Sequence, residues 1–154
     1  MNRWLIALSC TLLFSGCRSA PKSAEVINAS NARMLSNLVF EYSTTHGTMP
    51  SSIYVLDLSH VKCGDRAARF SDLRCVSSDR KVEADFLYFR ASGNFPKVDP
   101  DLIVLASPFA STPDERRLVV TASGTTAYLN ESQFLDAMTK QKQDSEQFAA
   151  PNGP

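Results

Sequence analysis

Leu102-Ile103-Val104-Leu105-Ala106 carries no polar side chain at any position. A strand turns alternate residues to opposite faces, so an unbroken apolar run is buried on both faces and belongs in the middle of a sheet. Pro108 ends the run, and Ser111-Thr112-Pro113-Asp114 reads as a loop. Downstream, Arg117-Leu118-Val119-Val120-Thr121 and Thr125-Thr126-Ala127-Tyr128-Leu129 flank Ser123-Gly124, the pattern of a tight hairpin. Upstream, the aromatic-rich Asp85-Phe86-Leu87-Tyr88-Phe89-Arg90 reads as a further strand, broken by Gly93-Asn94-Phe95-Pro96. Asn130 caps a final helix, with Gln133 at the matching third position and Phe134, Leu135 and Met138 on its apolar side. From Gln141 the composition is polar and ends in Pro and Gly, which predicts a disordered tail over 143–154.

Ahead of the sheet, a helix is expected to start at Ser23, its N-cap. Ile27, Asn31, Met34, Leu35, Leu38 and Tyr42 recur at three- and four-residue steps, with Val39 and Phe40 widening that face. Glu25, Ser36, Asn37 and Glu41 fall on the opposite face. Gly47 can take the left-handed conformation that follows a helix, and Pro50 blocks continuation. Residues 51–58 mix a serine start with Ile-Tyr-Val and read as a short helix. The segment from Cys63 to Cys75 is polar and reads as a surface loop with a helical turn. The order predicts an α+β fold: an N-terminal helix and a short C-terminal helix packed on a three- to four-stranded antiparallel sheet.

The first residues are an address. Met1-Asn2-Arg3 is a charged start, Trp4 to Gly16 is apolar, and Ser15-Gly16-Cys17 puts two small residues before a cysteine. Thirteen apolar residues are too few to span a bilayer, which takes roughly 20, and the pattern is that of a secretory signal peptide. Leu13-Phe14-Ser15-Gly16-Cys17 resembles the lipobox of bacterial lipoproteins, departing from it at Phe14, where Leu is usual. The resemblance implies cleavage before Cys17 and attachment of diacylglycerol and palmitate-type acyl chains to it. Arg18 stands where an Asp often marks inner-membrane retention, so the resemblance favours the outer membrane. The alternative is an ordinary cleaved signal peptide with an incidental Cys17. The implied division is a signal peptide at 1–16, a lipidated tether at 17–22, a globular domain at 23–142 and the tail at 143–154.

Removal of residues 1–16 leaves 138 residues, enough for one domain. It takes away Arg3 alone among charged groups, so 15 basic residues face 16 acidic ones and the net charge is near −1. No basic run is longer than two residues, which gives no footprint for nucleic acid. Cys10 leaves with the signal peptide. In an oxidising compartment, the remaining Cys63 and Cys75 are expected to form a disulfide closing a 13-residue loop, worth up to about 3 kcal/mol by loop entropy. A metal site is the competing reading, since His60-Val61-Lys62-Cys63 has ligand-like spacing, but zinc wants a second close pair and Cys75 has none beside it.

Asn31-Ala32-Arg33-Met34-Leu35-Ser36-Asn37-Leu38 through Tyr42, then His46-Gly47-Thr48-Met49-Pro50, resembles the first helix and turn of type II secretion pseudopilin-like domains. The three strand segments, the Ser123-Gly124 turn in place of Asp-Gly, and Glu131-Ser132-Gln133-Phe134 are similar to that family's closing strands and helix. The resemblance spans residues 30–140 and implies a pilin-like head. The family's Gly-Phe-Thr-x-x-Glu processing site and its long apolar stalk are missing, and Ser23, Glu25, Asn28 and Asn31 are too polar for a bilayer core. Filament assembly by the family's route therefore does not carry over.

Chemistry-bearing motifs are few. There is no Gly-x-Ser-x-Gly and no glycine-rich phosphate loop. His46 is placed to serve the last carbonyls of its helix. Asp99-Pro100-Asp101 and Asp114-Glu115 fall short of the six to eight oxygens that calcium takes. The expectation is no enzyme, cofactor or metal, but a membrane-anchored interaction or scaffold domain with an envelope protein partner, facing the periplasm or cell surface. A ligand-binding module for a small molecule or glycan is the alternative. A hydrolase would need a cleft joining His46 or His60 to a serine or carboxylate.

Overall fold

The computed structural model describes residues 22–91 and 98–149, without the side chains of 143–149. The signal-peptide and lipobox readings, with Cys17, and the break at 93–96 lie outside the described residues.

Helix α1 spans Ala24–His46. At its start the Ser23 hydroxyl accepts from the Val26 N–H at 3.3 Å, which satisfies one of the orphan donors of the first turn. At its end Gly47 has φ +71° and donates to Ser43 O at 2.9 Å, a conformation a side chain resists. Both ends are where the caps predict them. The buried face is different. Leu35, Leu38 and Val39 are buried as expected, but the face as a whole runs through Ala24, Asn28, Ala32, Leu35, Val39 and Ser43, about a quarter-turn around the helix from the expected stripe. Met34 is 37% exposed, and Ser36, expected on the solvent face, is buried and donates to Arg33 O. The small Ala24 and Ala32 let α1 approach the chain beneath it, and Asn28 meets that chain with hydrogen bonds, a role that apolar periodicity cannot register.

The helix expected at 51–58 is a single 3-10 turn, Ile53–Val55, capped by Ser52. Ile53 and Leu56 reach the core from it. Two short antiparallel ladders follow. Strands β1 (Lys62–Cys63) and β2 (Arg66–Ala67) form one, and after a 3-10 turn at Phe70–Leu73, strands β3 (Cys75–Val76) and β4 (Glu83–Ala84) form the other. The main sheet has the order β5 (Leu87–Tyr88), β6 (Ile103–Ala106), β7 (Arg117–Thr121), β8 (Thr126–Leu129), antiparallel throughout. Helix α2, Glu131–Ala149, closes the chain. The observed class is α+β, and the apolar 102–106 run is central as expected.

Both faces of this sheet are covered. On β7, Leu118 and Val120 join the core under α1, while Val119 joins a second cluster with Phe134 of α2. Strand β6 cannot follow a strict alternation, because its register slips between Ile103 and Leu105. The β-bulge at Val104 turns both Val104 and Leu105 to the α1 side and leaves Ile103 and Ala106 to α2.

Each helix also carries a carboxamide acting as a strand partner, and on α1 Asn31 Nδ2 adds a bond of 2.8 Å to Arg74 O. Asn28 Nδ2 donates to Val76 O and Asn28 Oδ1 accepts from Val76 N, both at 2.8 Å. Gln141 Oε1 accepts from Ile103 N at 3.0 Å, and its Nε2 donates to Ile103 O at 3.1 Å. Asn130 and Gln133 exchange reciprocal bonds of 3.0 and 2.9 Å at the start of α2, the predicted capping box. α2 continues to Ala149, because its propensity-rich sequence extends a helix already nucleated on the sheet; residues 150–154 lie outside the described set.

Candidate functional site

The C-terminal half of α1 and the β7–β8 hairpin do not close on one another. Between them lies a partly open groove of about 240 Å³. Val39 and Phe40 of α1, Val104 of β6, Ala122 at the hairpin, Met49 and Val98 supply its apolar surface. The bulge that turns Val104 toward α1 is what puts it there. Phe40 is 55% exposed at the lip. Hydroxyls edge the groove, but two of them are turned to their own helix: Ser43 donates to Val39 O at 2.6 Å and Ser36 to Arg33 O at 3.0 Å. At the mouth, Thr121, Ser123 and Thr125 form a hydroxyl chain with spacings of 2.8 and 3.1 Å. No described lining residue is ionisable.

A second cavity of about 200 Å³ lies beside the first half of α1, and it is charged, with Asp72, Arg74, Arg80 and Glu83 among its walls. Two of these charges are paired, Asp72 with Arg66 and Arg74 with Asp85. Arg66 binds Asp72 through two bonds of 2.7 Å, and the Arg69 N–H adds a third at 2.8 Å. The guanidinium and then the backbone donor hold the Asp72 carboxyl down at about 2. Asp85 accepts from the Tyr54 hydroxyl at 2.5 Å and from Arg74 Nε at 3.0 Å; the first bond raises Tyr54 and lowers Asp85.

The two expected disulfide partners, Cys63 and Cys75, are free thiols in the structure. Cys75 pairs with Ala84 in β3–β4 and is fully buried in the α1 core, where desolvation pushes its thiol up to about 12. Cys63 sits on the separate β1–β2 hairpin opposite Arg66, exposed to solvent. One side chain faces the core and the other faces water, whereas a disulfide needs converging Cβ vectors.

His46 is exposed on the last turn of α1. Its Nδ1 lies 2.9 Å from Tyr42 O, and its ring stacks on Tyr42 at a centroid distance of 4.0 Å. This is the helix-terminal placement expected for it. His60 Nε2 is 3.4 Å from Glu41 Oε2, both exposed. Neither histidine has a serine hydroxyl as a hydrogen-bond partner among the described residues. Asp99 accepts from the Asp101 N–H at 2.9 Å, and Asp114 pairs with Arg116 at 2.7 Å. Among the described residues no group of three or more His, Cys, Asp or Glu could hold a metal ion.

Comparison of the chain with protein-family models, with curated proteins and with solved structures gives no match.

The groove was not legible in the sequence. Its walls come from five separate segments, and Val39 and Val104 read there as ordinary core. The one usable signal was Phe40, an aromatic at the margin of the helical stripe.

Proposed function

We propose that this chain is a membrane-anchored envelope lipoprotein, with Cys17 as the lipidated residue. Its head acts as an interaction or scaffold domain of pseudopilin-like architecture, in the setting of a secretion or pilus-like system. The outer membrane is the favoured site, with the head on the periplasmic or cell-surface side. The observation that carries the reading is how early the head begins. α1 is capped by Ser23, six residues past Cys17. An extended chain of that length reaches about 20 Å at most, so acyl chains on Cys17 would hold the first turn of α1 close to a bilayer. Among the described residues no helix is long and apolar enough to cross a membrane. The pseudopilin-like part is supported by a 23-residue helix against a four-stranded antiparallel sheet that ends in a hairpin and helix. The reading assigns no catalysis.

Replacing Cys17 with Ser tests the anchor. The variant is expected in the soluble fraction, and the mature wild type is expected to carry acyl mass beginning at Cys17. Unchanged fractionation would end the lipoprotein reading. In-cell crosslinking with mass spectrometry is expected to recover discrete envelope proteins, and recovery of none would remove the scaffold role. The groove beside Phe40 favours a second reading, a ligand-binding module for a small molecule or glycan.

A further inference from the structure

We propose that the groove between α1 and the β7–β8 hairpin binds an uncharged, largely apolar small molecule of about ten non-hydrogen atoms. The proposal narrows the ligand-module reading and rests on it. Size comes from the cavity. An engineered apolar cavity of about 150 Å³ takes up benzene, and the groove offers about 240 Å³, room for a bicyclic aromatic of indole size. Chemistry comes from the walls. Val39, Met49, Val98, Val104 and Ala122 are apolar, and Phe40 presents a half-exposed ring at the lip. A charged ligand would give up hydration there and meet no counter-charge from a described lining residue. The neighbouring cavity, by contrast, is lined by both signs of charge. A neutral aromatic gains apolar burial and a ring contact with Phe40.

The polar groups argue against a sugar. Ser36 and Ser43 spend their hydrogens on carbonyls of α1. That leaves the Asn37 carboxamide at the lip and the hydroxyl chain from Thr121 to Thr125 at the mouth as the side-chain hydrogen-bonding positions. A glycan carries a hydroxyl on nearly every carbon and would leave most of them unpaired against apolar walls.

The test is a titration of the full-length, isotope-labelled protein followed by amide chemical shifts. Indole, benzoate and N-acetylglucosamine are the three probes. Indole is expected to shift Val39, Phe40, Ala122 and Ser123 with a Kd on the order of 1 mM, and benzoate and the sugar are expected to leave the groove unmoved. Asn37 is exposed at the groove lip. Asn37→Trp is expected to fill the groove and weaken indole at least tenfold, on the order of the loss of the apolar contact. Asn37→Ala is expected to bind as wild type, and Phe40→Ala to weaken binding severalfold. Dispersed shifts in the rest of the spectrum report that each variant is folded. Indole shifts confined to other residues, undiminished binding by both Asn37→Trp and Phe40→Ala, or equal binding of benzoate would overturn the proposal. A sugar that shifts residues elsewhere would leave the ligand-module reading standing on another site while this proposal falls. Silence with all three probes removes both.

Discussion

Asn28 is the side chain whose loss the fold should feel most for its size. It is 0% exposed and spans both the N–H and the C=O of Val76 with bonds of 2.8 Å. Asn28→Ala strips the partners from two backbone groups on a strand residue that is itself buried. A buried group left unsatisfied costs about 1–3 kcal/mol. Alanine returns about 0.5 kcal/mol through its better helix propensity. For the two groups together the expected net loss is therefore about 1.5–5.5 kcal/mol, a large part of the 5–15 kcal/mol typical of a whole domain. At roughly 3–5 °C per kcal/mol for a domain of this size, the melting temperature should fall by about 5–28 °C. Far-UV circular dichroism melts and urea titrations of the purified protein measure it. Asn28→Leu separates the mechanisms. It restores apolar volume but not the two bonds, so it should be nearly as damaging as alanine. A loss below about 0.5 kcal/mol for Asn28→Ala would refute the reasoning, since no net cost of desolvation is then present.

Gln141→Ala should loosen the distal part of α2, with a cost of about 1–2 kcal/mol because the Ile103 backbone is only part-buried. Faster amide exchange in 138–149 is the readout, and unchanged exchange would show that α2 does not depend on the clamp. A thiol reagent under native conditions, without reductant, should label Cys63 rapidly and Cys75 only on unfolding, because burial keeps the Cys75 thiol protonated. Two blocked thiols would mean that the bond forms after all. Acid should erode stability as pH falls from near 4 through about 2. Asp72 and Asp79 are both held down to about 2 in the fold, so they stay ionised there after their unfolded counterparts have taken up protons. Urea midpoints that stay flat over that window, or an Asp72→Asn variant with an unaltered slope, would contradict it. At the alkaline end the burial-raised Cys75 and Tyr88, both at about 12, hold their protons after the unfolded chain has lost its own. Stability should therefore decline from about pH 9 upward.

What could be read along the chain was local. Ser23 and Gly47 bracket α1, and Asn130 with Gln133 opens α2, because a cap bonds to backbone within a few residues of itself. The 117–129 hairpin followed from β-rich segments around Ser123-Gly124, and Gly124 takes φ +80° there. The candidate site was illegible for the opposite reason. Val39, Met49, Val104 and Ala122 meet only after the sheet is assembled, and no spacing in the sequence ties them together.

The sequence by itself therefore determined the class, the central strand, the hairpin and the helix ends, all of which depend on side-chain type and near-neighbour hydrogen bonding. Tertiary structure alone decided the rest. It rotated α1 so that Asn28 could serve Val76, inserted the bulge that sends Val104 and Leu105 to the same side, sent Cys75 inward and Cys63 outward, and left a groove beside Phe40. Those outcomes hang on which backbone groups remain unpaired and which volumes remain unfilled once distant segments pack. Neither quantity exists until the chain has folded.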